Sequence, residues 1–194
     1  LLPAFVSALF LGFGAYVLVT EGFTRVATPF IAMCGTTFVW QATWAFLFET
    51  TDRQVASELV KIGYLFILFL PTTFYPFVVE VAAARAEKWL LTVSYGLCAA
   101  LAVLLLSGNE VIDGFRSFFF GYYPKDGPLH PVHVEQTVFL AGRSGWLLIR
   151  ETRRARASRP RKLLDLCLVS PGLYSFAATD YAVTYGYASY PIGA

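Results

Sequence analysis

The chain has 194 residues, of which 57% are hydrophobic and 14% are charged. An ordinary soluble domain is about one quarter charged, so this composition excludes a soluble globular protein and predicts that a lipid bilayer covers much of the surface. The formal net charge is +2, and the basic residues collect in one loop beside an apolar run. Membrane topology accounts for that loop, so we predict no nucleic-acid partner.

Six apolar runs approach or exceed the roughly 20 residues that are needed to cross a bilayer. In chain order they cover residues 1–19, 26–48, 59–81, 89–107, 132–149 and 163–183, and a seventh run begins at Tyr190 and stops at Ala194. The runs are continuous and show no two-residue polar alternation, which favours helices over barrel strands. The predicted fold class is all-α: a polytopic transmembrane helix bundle with six complete helices and the start of a seventh. We predict a single transmembrane, sensor-like domain over residues 1–194.

The distribution of Lys and Arg predicts the orientation of the bundle. With the N-terminus outside, the outer side carries Arg53, Lys61, Arg116 and Lys125, and the rest of the fifteen basic residues face inward. The opposite orientation would violate the positive-inside rule. We therefore expect a multi-pass protein of the cell inner (plasma) membrane with its N-terminus outside. The basic loop 150–162 is interpreted as a topology anchor, and binding of anionic lipid head groups explains it equally well.

The longest predicted connection, residues 108–131, holds an aromatic cluster followed by proline and glycine turn signals. We expect it to lie at the outer interface as a short helix or cap. Its aromatic residues are interpreted as an interfacial belt, with a lid over a binding pocket as the alternative.

Ionisable residues within spans usually face the bundle interior, which makes them the best candidates for a site. His133 and Glu135 on the fifth helix and Asp180 on the sixth fall near the outer ends of their helices, with Trp44 and Tyr185 available beside them. Polar anchors at a rim above apolar walls are typical of a small-molecule site. We predict that these five residues bind a small amphiphilic ligand. In the alternative interpretation, the carboxylates pair with His133 or with tyrosine hydroxyls and only hold two helices together.

No metal or other cofactor is predicted. His130 and His133 have a spacing that a helix could place on one face, but Pro131 is expected to begin the helix and leave His130 outside it. Deeper in the same helix, Arg143 either pairs with a carboxylate or snorkels to the inner face, and snorkelling is the favoured interpretation.

Two prolines, Pro71 and Pro76, fall inside the third helix, where Thr72 and Thr73 are expected to satisfy the backbone groups that the prolines free. The three cysteines lie in apolar runs without a CxxC spacing and are interpreted as buried free thiols. The sequence contains no GxGxxG, Walker A, HExxH or GxSxG motif, so we predict that the chain is not an enzyme.

The last third of the chain carries a more specific pattern. It reads GYYPKDGPLHPVH from Gly121 to His133, then an Arg-rich helix end, then Asp180 and Tyr185 with Gly186, and finally YPIG from Tyr190. Further upstream, Trp44 and Glu49 precede the helix that contains Pro71 and Pro76. Together these features resemble the N-terminal seven-helix membrane region of bacterial histidine kinases and diguanylate cyclases, which is related to the membrane sensor part of autoinducer kinases.

The resemblance implies a ligand-sensing module of two-component signalling that passes a conformational signal to a cytoplasmic effector domain. The chain departs from the pattern because it stops at Ala194, before the seventh helix is complete and before any kinase or cyclase domain. We therefore keep an alternative, a non-catalytic accessory subunit packed against a larger membrane protein complex.

Overall fold

The computed structural model describes residues 2–154 and 180–191 and is mostly helical. Its elements in chain order are α1 (Leu2–Glu21), α2 (Ala27–Glu49), α3 (Arg53–Val81), a 3-10 turn (Arg85–Glu87), α4 (Lys88–Ser107), β1 (Ile112–Phe118), β2 (Gly121–Asp126), α5 (His130–Arg154) and α6 (Asp180–Thr184). Among the described residues, α1 to α4 are long and apolar enough to cross a membrane. The first four predicted runs are therefore confirmed as candidate spans.

The fifth predicted run is helical, but α5 is too polar to meet the same criterion. Its buried face holds leucines together with polar residues such as His133, Gln136 and Ser144, whereas Val138 and Phe139 on its other side are 62% and 56% exposed. This pattern is typical of a membrane helix that faces a polar bundle interior. The sixth run lies outside the described residues except for its end in α6, and the described start of the seventh, Tyr190 and Pro191, is not helical.

Helix α3 is the centre of the described bundle and packs against α2, α4, α5 and the hairpin. Asp52 caps its start, because its carboxylate accepts hydrogen bonds from the backbone N–H groups of Gln54 (2.7 Å) and Val55 (3.3 Å). Gly63 lets α2 approach closely: a Cβ at this position would lie 2.2 Å from the Trp44 ring. The absent side chain at Gly63 thus makes room for the large ring of Trp44.

A buried polar cluster ties α3, α4 and α5 together in the middle of the bundle. The Gln136 amide donates to the Ser94 hydroxyl at 2.8 Å, and the Thr72 and Ser94 hydroxyls lie 2.7 Å apart. The Cys98 thiol donates to the Leu68 carbonyl at 3.0 Å. Such interhelical bonds stabilise membrane bundles by about 0.6 kcal/mol each. Cys34 and Cys98 are free and buried, as the sequence predicted, and Cys167 lies outside the described residues.

Helix α3 is continuous through both prolines. The Thr73 hydroxyl donates to the Leu70 carbonyl at 3.0 Å, while the Thr72 hydroxyl bonds across to α4. The carbonyl that Pro71 deprives of its N–H partner belongs to Ile67. Neither threonine bonds to it, so the expectation that these hydroxyls satisfy it is wrong.

The connection 108–131 forms an antiparallel β-hairpin over the ends of α2 and α3, so of the two predicted forms the short helix is wrong and the structure shows a cap. Gly114 and Gly121 have φ values of 78° and 125°, a backbone region that disfavours other residues and interrupts helices. Phe115 and Tyr122, on opposite strands, have ring centroids 4.7 Å apart. Cross-strand aromatic contacts of this kind stabilise sheets.

Candidate functional site

A cavity of about 30 Å³ lies at the hairpin end of the bundle, between α2, α3, α5, α6 and β2. Most of its walls are aromatic or aliphatic, with a few polar side chains. The lining residues are Trp40, Trp44, Tyr64, Ile67, Leu70, Tyr123, Thr137, Asp180, Tyr181 and Thr184. A cavity of this size has room for two or three water-sized groups.

The structure brings four of the five predicted site residues to this region. Trp44 is fully buried and Asp180 is 5% exposed, and both line the cavity. His133 is fully buried behind the wall, and Tyr185 is 38% exposed at its edge. Glu135 does not join them, because it is exposed on another face of α5.

Two His–Tyr pairs join α5 to the segment around α6. His130 Nδ1 lies 2.9 Å from the Tyr185 hydroxyl, and His133 Nε2 lies 2.9 Å from the Tyr181 hydroxyl. Helix α5 begins at His130, so the expectation that His130 lies outside the helix is wrong. In the alternative interpretation of the sequence a carboxylate is the partner of His133, and the structure shows the hydroxyl of Tyr181 in this role.

Tyr64 of α3 packs against both imidazoles, with ring centroids 5.6 Å from His130 and 5.9 Å from His133. Three buried polar atoms, the Tyr64 hydroxyl, His130 Nε2 and His133 Nδ1, have no hydrogen-bond partner among the described residues. Leaving a buried polar atom unpaired is costly, so native proteins usually supply a partner, a water or a ligand. The Tyr64 hydroxyl and the Trp40 indole N–H, which likewise has no partner among the described residues, both belong to residues that line the cavity and can receive one there.

The hairpin closes one side of the cavity through Tyr123. Its ring meets Trp44 edge-on at a centroid distance of 5.9 Å. Burial, and next the negative charge of Asp180, raise the pKa of the Tyr123 phenol well above its ordinary value. The hydroxyl is therefore protonated at neutral pH.

Sequence reasoning missed several wall residues, of which Trp40, Tyr64, Thr137 and Tyr123 matter most. Trp40 and Thr137 each lie four residues from a predicted site residue, so helical spacing alone would have placed them on the same faces. Tyr64 and Tyr123 carry no such signal, because their positions depend on how α3 and the hairpin pack.

A second polar cluster occupies the opposite end of the bundle. Arg143 Nε donates to the Glu87 carboxylate at 3.2 Å, and its Nη2 donates to the other carboxylate oxygen. The Tyr75 hydroxyl donates to Glu87 at 2.8 Å. Arg143 therefore pairs with a carboxylate, which was the less favoured of its two predicted roles. The hydrogen bond from Arg143, together with that from Tyr75, lowers the pKa of Glu87 below its ordinary value, although partial burial opposes the shift.

Within residues 2–154 and 180–191, no group of three or more His, Cys, Asp or Glu side chains is placed to hold a metal ion. The polar groups of the cavity instead suit hydrogen bonding and charge pairing with a small organic group.

The four long apolar helices and the polar bundle interior define a multi-pass membrane protein. Residues 2–192 match the family model described as the N-terminal 7TM region of histidine kinase, so the chain belongs to this family. The resemblance seen in the sequence is thereby confirmed. No curated protein and no solved structure matches the chain. Membership identifies the chain as a membrane sensor region, which is a non-catalytic part of such kinases.

Proposed function

We propose that the chain is the ligand-sensing module of a bacterial membrane-bound histidine kinase. Residues 1–194 form one domain of the inner membrane, with the N-terminus and the hairpin on the outside. A small ligand enters the cavity from that side, and the bundle relays its binding to a cytoplasmic effector domain. The observation that carries this proposal is the cavity at the hairpin end, whose wall holds a buried carboxylate and a buried tyrosine hydroxyl that has no hydrogen-bond partner among the described residues.

The walls of the cavity suit a ligand with a polar head and an apolar body. Asp180, Thr137 and Thr184 provide polar groups, while Trp44 and Ile67 provide apolar surface. Because the space is only about 30 Å³, a larger ligand has to displace side chains to enter. That displacement is the means by which binding favours one conformation of the bundle over another.

Helix α5 is the proposed route of the signal. Near the start of α5, Thr137 lines the cavity and His133 bonds to Tyr181, and near its middle Arg143 pairs with Glu87. The ten residues between His133 and Arg143 span about 15 Å of helix. A ligand that moves Tyr181 shifts α5, and the shift changes the contact of α5 with the turn at Glu87.

The chain's own tryptophans provide the test. Trp40 and Trp44 line the cavity, whereas Trp89 and Trp146 are 65% and 47% exposed away from it. The protein is labelled with fluorotryptophan, placed in lipid nanodiscs and titrated with short alcohols and short amines. We expect the fluorine resonances of Trp40 and Trp44 to shift with saturation and those of Trp89 and Trp146 to stay in place.

The same probes are added to the full-length protein in membranes, and autophosphorylation is measured. Saturation of the Trp44 shift and a change in phosphorylation at matching concentrations would support sensing through this cavity. Equal shifts of all four tryptophans would indicate that the probes only dissolve in the bilayer. Either that result or no shift at all overturns the proposal.

A further inference from the structure

The turn of the hairpin consists of two phenylalanines. Phe119 and Phe120 join β1 to β2, and Phe118 pairs with Gly121 on either side of them. Two-residue hairpin turns usually carry Gly, Asn or Asp, and turns that face water are polar. Phe119 is nevertheless 79% exposed. A single exposed apolar side chain is ordinary on a protein surface, so the neighbours of Phe119 decide what covers it.

The neighbours of Phe119 are also aromatic. The ring of Phe119 meets that of Phe120 edge-on at a centroid distance of 5.0 Å, and Phe120 stacks on Phe118 at 5.2 Å. These three residues form the hairpin tip. Phe120 also contacts Phe48 of α2 at 5.6 Å and Tyr190 at 5.4 Å. The exposed ring of Phe119 therefore belongs to an apolar patch of several rings.

The charged residues of the hairpin lie away from its tip. Residues 117–124, which include the tip, contain no charged side chain. The four charges of the hairpin form two pairs nearer its base: Arg116 lies 2.9 Å from Asp126, and Lys125 pairs with Asp113. The hairpin thus has an uncharged aromatic end and a charged end whose charges are paired. This division is typical of an element that lies at a membrane–water interface.

The tip contacts α2 at its last turn. A Cβ on Gly121, next to the tip, would lie 3.0 Å from the Cα of Phe48. Phe46 is 68% exposed on a helix that is apolar enough to cross a membrane, so it faces lipid. The two residues from Phe46 to Phe48 correspond to about 3 Å of helix rise, and the charged Glu49 follows directly. The tip is therefore continuous with the lipid-facing surface of α2, at the depth where that surface ends.

We propose that the hairpin tip inserts into the interfacial layer of the lipid bilayer, and that this contact holds the hairpin over the cavity. The proposal does not depend on the ligand of the cavity. Phe120 of the tip contacts Tyr123 at a centroid distance of 6.1 Å, and Tyr123 contacts Trp44 in the cavity wall. Because the tip has no charge, it binds the apolar region below the head groups and does not distinguish anionic from zwitterionic lipids.

Fluorotryptophan at the tip tests the insertion. Phe119→Trp adds one fluorine resonance to those of the four native tryptophans, and Ser117→Trp, at an exposed polar position of β1, is the matched control. The nanodiscs contain either a lipid with a nitroxide just below its head group or a water-soluble gadolinium chelate in the buffer. We expect the nitroxide lipid to broaden the Phe119→Trp resonance at least about threefold more than the Ser117→Trp resonance, and the chelate to reverse that order.

Two outcomes of this experiment contradict the proposal. If the chelate broadens both resonances equally, the tip lies in water. If the nitroxide lipid broadens the Phe119→Trp resonance in phosphatidylglycerol but not in phosphatidylcholine, the hairpin binds anionic head groups through its charged end and the tip is not inserted.

Two further substitutions test whether the lipid contact holds the hairpin. Phe119→Leu keeps an apolar side chain and loses the ring contact with Phe120, whereas Phe119→Ser loses both. We expect Phe119→Ser to move the Trp44 resonance and to accelerate amide exchange in residues 112–126 by about tenfold. Phe119→Leu should leave the Trp44 resonance in place and keep the exchange rates within about twofold of the unaltered protein.

The comparison of these variants separates lipid from protein contacts. If Phe119→Leu loosens the hairpin as much as Phe119→Ser does, the contact with Phe120 holds it in place. If neither substitution loosens it, the tip has no such role. Either result overturns the second part of the proposal. The resonances of Trp89 and Trp146, which lie away from the hairpin on α4 and α5, should stay in place in every variant and report that the bundle is folded.

Discussion

Glu87 joins three parts of the bundle through a single carboxylate. It lies in the turn before α4 and accepts hydrogen bonds from Tyr75 of α3 and Arg143 of α5. Its side chain is 12% exposed, whereas that of Arg143 is 34% exposed. Because solvent reaches the arginine, the ion pair stabilises the fold by an amount typical of partly exposed pairs, about 1 kcal/mol.

Replacing Glu87 with Gln should lower the free energy of unfolding by about 1 kcal/mol at pH 7. The ion pair with Arg143 lowers the pKa of Glu87 in the folded state below its ordinary value of 4.5. Stability from such a group is present above the unfolded-state pKa and is lost as the pH falls through the folded-state pKa. The difference between the unaltered protein and Glu87→Gln should therefore be full at neutral pH and shrink below about pH 4.5.

The matched control is Glu80→Gln, a half-buried carboxylate near the end of α3 that forms no ion pair with the described residues. Thermal unfolding in nanodiscs, from pH 7 down to a pH below the folded-state pKa of Glu87, measures both variants. A loss of the same size in Glu80→Gln, or a loss in Glu87→Gln that persists at acid pH, would show that the pair with Arg143 is not the cause.

Single residues of the site could be predicted from the sequence where the side chain is ionisable and lies within an apolar run. Asp180 and His133 are ionisable groups inside apolar runs, and such groups usually face the bundle interior. The partners of these residues were not predictable in the same way. Glu135 has the right chemistry, yet α5 turns it to an exposed face, and Tyr64 enters the site only because α3 packs between α2 and α5.

Among the elements, the first five helices were predictable because each produces a long apolar or amphipathic run. The hairpin was not, although its residues gave relevant signals. Aromatic residues favour strands, but at a membrane surface they are equally typical of an interfacial belt. The turn depends on Gly121, whose φ of 125° becomes evident only in the structure.

Gly121→Ala should displace the hairpin from α2. A Cβ at Gly121 would lie 3.0 Å from Phe48 Cα and 3.1 Å from the Phe48 carbonyl oxygen, and the backbone there cannot move aside easily. The positive φ adds a conformational cost of about 1–2 kcal/mol. Because Tyr123 of the same hairpin contacts Trp44, we expect the Trp44 fluorine resonance to move and amide exchange in residues 112–126 to accelerate.

Gly114→Ala is the control that distinguishes the effect of the close contact with Phe48 from the effect of a positive φ. Gly114 also has a positive φ, of 78°, but a Cβ there would meet nothing within 4 Å. This control should destabilise the strand locally and leave the Trp44 resonance unchanged. If both variants move Trp44 equally, strain alone is responsible and the contact with Phe48 does not hold the hairpin in place.

At the scale of the whole molecule, α5 explains a difference between two counts of membrane spans. The sequence predicts α5 as a span, whereas the hydropathy and charge of the described helices select α1 to α4 alone. Helix α5 carries the buried polar residues His133, Gln136 and Thr137 as well as the partly exposed Arg143, so it is less apolar than the other long helices although it packs within the bundle. Family membership over residues 2–192 supports a seven-helix arrangement independently of that count. The proposed orientation depends instead on the basic residues, which are concentrated in the sequence from Arg143 onward.

The proposed orientation is tested by labelling at two engineered cysteines. Eight of the fifteen Lys and Arg residues lie between Arg143 and Lys162, and the positive-inside rule places such a segment in the cytoplasm. The hairpin lies at the other end of α5, so Ser117, which is exposed on β1, should face outward. With the native cysteines replaced, an impermeant maleimide added to intact cells should label Ser117→Cys and leave Ser158→Cys unlabelled until the membrane is opened. The reverse labelling pattern would mean that the topology is inverted, with the hairpin and the ligand cavity on the cytoplasmic side.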